Sequence, residues 1–238
     1  MKRKLLSLLL ICILMVFPAG CAFAPTPVTP TATATPAPTK TPAPLVQEGK
    51  ITFSLYDGRQ YSGMVYGHGK TAIILANMSS GGLEQWAPFV EAFDKDKFSV
   101  VAFNYSLLAP NDYSSAENEV ENILDTLKGF GFKRVICMGA SLGVSACGFI
   151  SHAPEIVGMV MIAGPNFGGT LDTPYPKLFV AGKLDPWASP LESEYKRADE
   201  PKTLILYPDN AVHGTLLFGS AVKDQFLKDL LDFVNNIQ

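Results

Sequence analysis

The sequence predicts an α/β fold: a mostly parallel central sheet of about eight strands, helices on both faces, and an N-terminal antiparallel hairpin leading in. Three observations predict it. From residue 45 onward, apolar runs of strand length alternate with helix-length segments. The runs are continuously apolar, as in strands covered on both faces of a parallel sheet. The chain has 238 residues, 47% of them hydrophobic, which is ample for one core and thin for two domains.

The elements follow in order. Residues 51–56 and 61–66 flank the turn Asp57-Gly58-Arg59-Gln60 and read as the hairpin. Residues 71–77 are a short buried third strand, 83–93 a helix and 98–104 the fourth strand. Residues 114–129 have amphipathic helix spacing, with Glu117, Glu119 and Glu121 near the start. A fifth strand over 134–139 runs into a helix from Leu142 to about His152. Strands six to eight fall at 157–163, 177–181 and 203–207, with helices over 190–198 and 221–236. No internal repeat is evident.

The first 44 residues are of another kind. Lys2, Arg3 and Lys4 precede an apolar run from Leu5 to Phe17 that is short for a bilayer span and fits the core of an export signal. Pro18-Ala19-Gly20-Cys21 follows and resembles the bacterial lipobox, although Pro18 stands where Leu is usual. That resemblance implies a signal peptide over 1–20 and lipid on Cys21, holding the mature protein at the extracytoplasmic face of a bacterial membrane. Simple secretion after Ala22-Phe23-Ala24 and an uncleaved anchor are the competing readings; Pro25 directly after the site argues against the first. Residues 21–44 are rich in Pro, Thr and Ala and read as a disordered, extended linker ahead of a domain over 45–238. Of the four cysteines, Cys12 would leave with the signal and Cys21 would be acylated. Cys137 and Cys147, both in apolar segments, read as buried free thiols rather than a bridge. Net charge is −3 with no basic stripe, which excludes nucleic acid as the expected partner. No Cys/His spacing resembles a metal site, and no cofactor motif is present.

Gly139-Ala140-Ser141-Leu142-Gly143 matches G-x-S-x-G between an apolar strand and an apolar helix. A serine in that tight turn is lifted out of the sheet at a helix N-terminus, where positive partial charge favours developing negative charge. After the seventh strand the chain reads Ala181-Gly182-Lys183-Leu184-Asp185-Pro186, and after the eighth Tyr207-Pro208-Asp209-Asn210-Ala211-Val212-His213-Gly214. A serine, an acid and a histidine, each just past a strand end and in that order, are similar to the α/β-hydrolase family, over essentially all of residues 51–237. The resemblance implies Ser141 as nucleophile, His213 as general base and Asp185 as the acid that orients it. Asp209 and Asp172 are rival acids; His68 reads as an exposed hairpin-turn residue and His152 as the end of the elbow helix.

The resemblance also implies an oxyanion hole from the backbone N–H groups of Leu142 and of Met78, in the loop after the third strand. This chain has Asn77-Met78 where many members have His-Gly, but the donor is backbone. Asn77 is a candidate to hold that loop. The short stretch 164–176 leaves no room for a large cap domain and implies an open site. Phe167 and Trp187 are candidates to line a substrate pocket or to fill the core, and the loop Asn104-Tyr105-Ser106 could also face the site. Serine rather than aspartate at the elbow favours ester or related acyl chemistry over epoxide or dehalogenase chemistry. The expectation is a carboxylesterase-like, monomeric hydrolase that needs no cofactor and acts on a small-molecule ester. Thioesterase, peptidase or acyltransferase chemistry on the same residues, and a non-catalytic surface binding lipoprotein, are the alternatives.

Overall fold

The computed structural model describes residues 46–107, 109–166 and 172–237. The expected signal peptide, linker, lipidation residue Cys21 and pocket residue Phe167 lie outside them. The strands are β1 (Gly49–Ser54), β2 (Gln60–Tyr66), β3 (Thr71–Ala76), β4 (Phe98–Phe103), β5 (Val135–Ala140), β6 (Ile156–Ile162), β7 (Lys177–Gly182) and β8 (Lys202–Tyr207). They form one sheet in the order β1-β2-β4-β3-β5-β6-β7-β8. β1 pairs with β2 and β2 with β4 antiparallel; every later pairing is parallel.

The hairpin forms because Gly58, at φ 85, closes a turn in which the Leu55 N–H donates to the Arg59 carbonyl at 2.9 Å. The central strands β4, β5 and β7 are buried along their whole length, as their unbroken apolar runs require. β8, at the sheet edge, is only partly covered.

The helices follow from the crossovers. A 3₁₀ turn, Leu83–Trp86, leads into α1 (Ala87–Ala92), where the expected single helix is split; Pro88 sits in the first turn of α1. Then come α2 (Tyr113–Gly129), α3 (Leu142–Phe149), α4 (Ala188–Arg197) and α5 (Lys223–Asn236). The β3–α1–β4 crossover runs one way along the sheet, while those through α2, α3 and α4 run the other. Right-handed crossovers therefore put α1 on one face and α2, α3 and α4 on the opposite one. α5 contacts α1, and α2 contacts α3. α2 starts where Asp112 accepts the Ser115 N–H at 3.1 Å, and its buried stripe of Ala116, Val120, Ile123, Leu124 and Leu127 includes Glu119.

Three expectations are corrected. Cys137 and Cys147 form a disulfide, with Cα atoms 5.6 Å apart. The elbow folds α3 back along β5, so ten residues of sequence become one side-chain contact. Burial alone does not distinguish a thiol pair from a bridge, and both cysteines are fully buried. Second, Gly67-His68-Gly69 is not a hairpin turn: β2 pairs with β1 and β4, and the segment crosses over to β3. Third, α3 ends at Phe149, so His152 lies beyond it.

Candidate active site

Ser141 follows β5 directly and has φ 52 and ψ −114, a conformation non-glycine residues rarely adopt. Its N–H donates to the Ile162 carbonyl of β6 at 2.9 Å, and its carbonyl accepts from Val144 N–H at 3.0 Å. The elbow is tight enough to dictate its glycines. A Cβ at Gly139 would lie 2.1 Å from the Gly143 carbonyl oxygen, and one at Gly143 would lie 2.2 Å from that of Ala76. Leu142 is the first residue of α3, so its N–H has no intrahelical acceptor and points out of the helix end.

The strand ends on either side supply the other groups. Asp185 lies past β7, with its side chain fully buried. Both its oxygens are used: Oδ1 accepts the Trp187 backbone N–H at 2.8 Å, and Oδ2 lies 2.8 Å from His213 Nδ1. A buried carboxylate must be bonded on each oxygen, and here it is. With Nδ1 facing a carboxylate, the ring's proton belongs on Nδ1 and Nε2 is left as the acceptor. The His213 side chain is 33% exposed. Its loop is tied to that of Asp185 by buried Asn210, whose carbonyl accepts Leu184 N–H and whose Oδ1 accepts Val212 N–H, each at 2.8 Å. Gly214, at φ 56, lets this loop settle on its neighbours. A Cβ there would stand 2.3 Å from Met78 Sδ and 3.8 Å from Ala140 Cβ, beside the elbow. A Ser141–His213 hydrogen bond is not among those formed by the described residues; such bonds often tighten only around substrate.

The loop after β3 is braced from within. Asn77 is fully buried; its Nδ2 donates to the Phe103 carbonyl at the end of β4, and its Oδ1 accepts from Trp86 Nε1 at 2.8 Å. Next to it, the buried Met78 has an N–H that donates to no described residue. Asn104 accepts Leu83 N–H at 2.8 Å, so the loop after β4 supports the same segment. Ser106 is held in turn by Glu119, through its N–H at 3.0 Å and its hydroxyl at 2.7 Å. Burial pushes the Glu119 carboxyl above its ordinary pKa, against the lowering by the Ser106 bonds. Glu194, on α4, accepts the Asn166 N–H past β6 at 3.2 Å, and burial raises its pKa as well.

The rival residues lie elsewhere. Asp209 is exposed, at φ 54. The Asp172 side chain is 72% exposed and lies 3.6 Å from His152 Nε2. His68 pairs with Asp96 at 2.8 Å on the surface. Trp187 is half-buried and packed against the core. The roles of Asn210, the Trp187 N–H, Gln85 and Thr215 were not read from the sequence. Asn210 alone had a local signal, as a turn-forming residue three before His213.

No protein-family model matches this chain, and no curated protein sequence matches it. Solved structures do. An esterase from Exiguobacterium antarcticum superposes with a TM-score of 0.63 at 9% identity, covering 78% of this chain and 99% of that one. An α/β serine hydrolase homologue from Coxiella burnetii gives 0.62 at 13% identity, covering 79% and 98%. The esterase RhEst1 from a Rhodococcus species gives 0.64 at 11% identity, covering 79% and 99%. With the strand order above, this establishes the class of fold: the chain has the α/β-hydrolase fold.

Proposed function

We propose that the chain is a serine hydrolase that cleaves a carboxylic ester or related acyl bond through Ser141, His213 and Asp185. The observation that carries this reading is one arrangement at one end of the sheet. A serine in a strained strand-to-helix turn sits beside a histidine loop whose ring is bonded at 2.8 Å to a buried aspartate. A turn serine with a purely structural role has no need of the strain or of the buried pair.

The chemistry follows from the groups. Ser141 Oγ attacks the acyl carbon and its proton passes to His213 Nε2, while Asp185 holds the ring and stabilises the imidazolium. The carbonyl oxygen, now negative, accepts from the Leu142 and Met78 N–H groups. As the carbon–oxygen bond breaks, the leaving alcohol takes the proton from Nε2. Water then enters, gives its proton to His213 and attacks the acyl-enzyme; the acid departs as Ser141 regains its proton. The esterases among the superposed structures support ester chemistry. We propose further that the enzyme is exported and held at a membrane through lipid on Cys21. The Cys137–Cys147 disulfide supports export, because such bonds persist in oxidising compartments.

Labelling with a fluorophosphonate probe tests the nucleophile. The wild type should label and hydrolyse p-nitrophenyl acetate. Ser141→Ala should lose labelling and about four or more orders of magnitude in turnover while staying folded. Unchanged turnover in Ser141→Ala would refute the assignment.

A further inference from the structure

Gln85 lies on the 3₁₀ turn after the loop of Met78, and its amide spans two loops of the proposed site. Its Nε2 donates to the Ser80 carbonyl at 3.2 Å, and its Oε1 accepts from the Thr215 hydroxyl at 2.8 Å. Ser80 is two residues past Met78, and Thr215 is two residues past His213. We infer that Gln85 is a positioning residue that locks the oxyanion loop to the histidine loop, so that Met78 N–H and His213 Nε2 are set together over Ser141. The inference rests on the reading of the site as a serine hydrolase.

The surroundings point the same way. The chain makes room for the amide: Gly81 is at φ 153, and a Cβ there would stand 2.1 Å from Gln85 Nε2. Thr215 is buried and spends its hydroxyl on Gln85 rather than on its own backbone. A second contact joins the same two loops one step closer to the chemistry, where Met78 Sδ rests against Gly214. On the other side of Met78, Asn77 is fixed by Trp86 and Phe103. Met78 is thus held before and after, and the hold after it is Gln85. Gln85 itself is only partly buried. Its two bonds join residues of different loops and so set the relative placement of the two loops, and the rate of acyl transfer is sensitive to that placement.

The test uses the purified full chain. Gln85→Ala and Thr215→Val are compared with the wild type for kcat and KM on p-nitrophenyl acetate, fluorophosphonate labelling rate and Tm. A misaligned donor is felt only where the oxyanion forms. Each variant should thus lose about 10- to 100-fold in kcat and in labelling rate with KM within about twofold. Thr215→Val, which removes one part-buried hydrogen bond, should keep Tm within about 3 °C, and Gln85→Ala, which removes two and leaves the buried Thr215 hydroxyl unpaired, should lose no more than about 8 °C. The double variant should be no slower than the worse single one, because both changes cut the same tie. Thr215→Ser, which restores the hydroxyl, should recover the rate. Wild-type kcat in Gln85→Ala, a loss confined to KM, or multiplicative losses in the double variant would each overturn the inference while leaving the serine hydrolase reading intact. A wild type that neither labels nor turns over would overturn both.

Discussion

Reducing the Cys137–Cys147 bond should destabilise the fold by an amount that the chain itself sets. The bridge closes a loop with a sequence separation of ten, from the middle of β5 to the sixth residue of α3. Closing a loop of that size in the unfolded chain removes entropy equivalent to about 3 kcal/mol at 25 °C. For a domain of this size that corresponds to a drop of roughly 6–12 °C in Tm. Because both sulfurs are buried in the folded state, dithiothreitol should act slowly on native protein and fast in denaturant. The assay is guanidinium unfolding by circular dichroism, on protein left oxidised and on protein reduced in denaturant and refolded under reductant. The reduced form should unfold at a lower midpoint yet keep, below it, the rate that the oxidised protein has on p-nitrophenyl acetate. The elbow's own geometry is set by Gly139 packing against Gly143 and by the Ser141 N–H bond to β6, and reduction removes neither. Coincident unfolding curves would refute the reasoning, as would alkylation of unreduced, unfolded protein at both Cys137 and Cys147.

Asp185→Asn should lower kcat about a thousandfold, near 4 kcal/mol of barrier, because an amide can present an N–H to Nδ1 and turn the ring to the wrong tautomer. Asp209→Asn and Asp172→Asn should each cost less than about tenfold, both being exposed and Asn tolerating the positive φ of residue 209; steady-state kinetics on the three variants at matched Tm decides between them. Glu119→Gln should change stability in a pH-dependent way. The Glu119 pKa is raised in the folded state, so the native protein holds this proton to higher pH than the unfolded chain does. The group's contribution to stability then falls as pH rises from the ordinary glutamate range through the folded pKa. Glu119→Gln, which has no such proton, should gain on the wild type in melts at pH 7 relative to melts at pH 4; a difference independent of pH would count against the burial argument.

What the sequence made legible is local or ordered along the chain. The elbow could be read because five consecutive residues, set between a strand and a helix, encode one turn. Asp185 and His213 could be read together because each follows a strand end, and parallel strands bring successive ends to one rim. The six later strands were legible from their apolar runs and the first two from the turn between them, with boundaries off by a residue or two. What was not legible depends on contacts between distant residues. Gln85 and Thr215 are 130 residues apart, and neither has a neighbour that announces the other. Glu119 looks from its spacing like one of three acidic residues at a helix start, yet the helix turns it inward to Ser106. The disulfide was missed for a different reason: a bridge and a pair of thiols leave the same apolar, buried signature.

The buried polar residues divide in a way that bears on what the fold is selected to do. Asn77, Asp185, Asn210 and Thr215 are all buried, and all lie in the segments that follow β3, β7 and β8. Each loses hydration that an apolar residue of similar size would not, and each recovers it only through bonds to partners held at fixed places. Apolar side chains could close the same loops at similar stability, as replacements of buried ionic groups in other proteins indicate. What they could not do is fix the loops to within a hydrogen bond's tolerance of one another. Polar ties at this rim should therefore govern rate more than stability, and the disulfide beneath it, stability more than rate. Thr215→Val and the reduced protein are the two ends of that contrast: the first should melt near the wild type and turn over slowly, and the second should do the reverse.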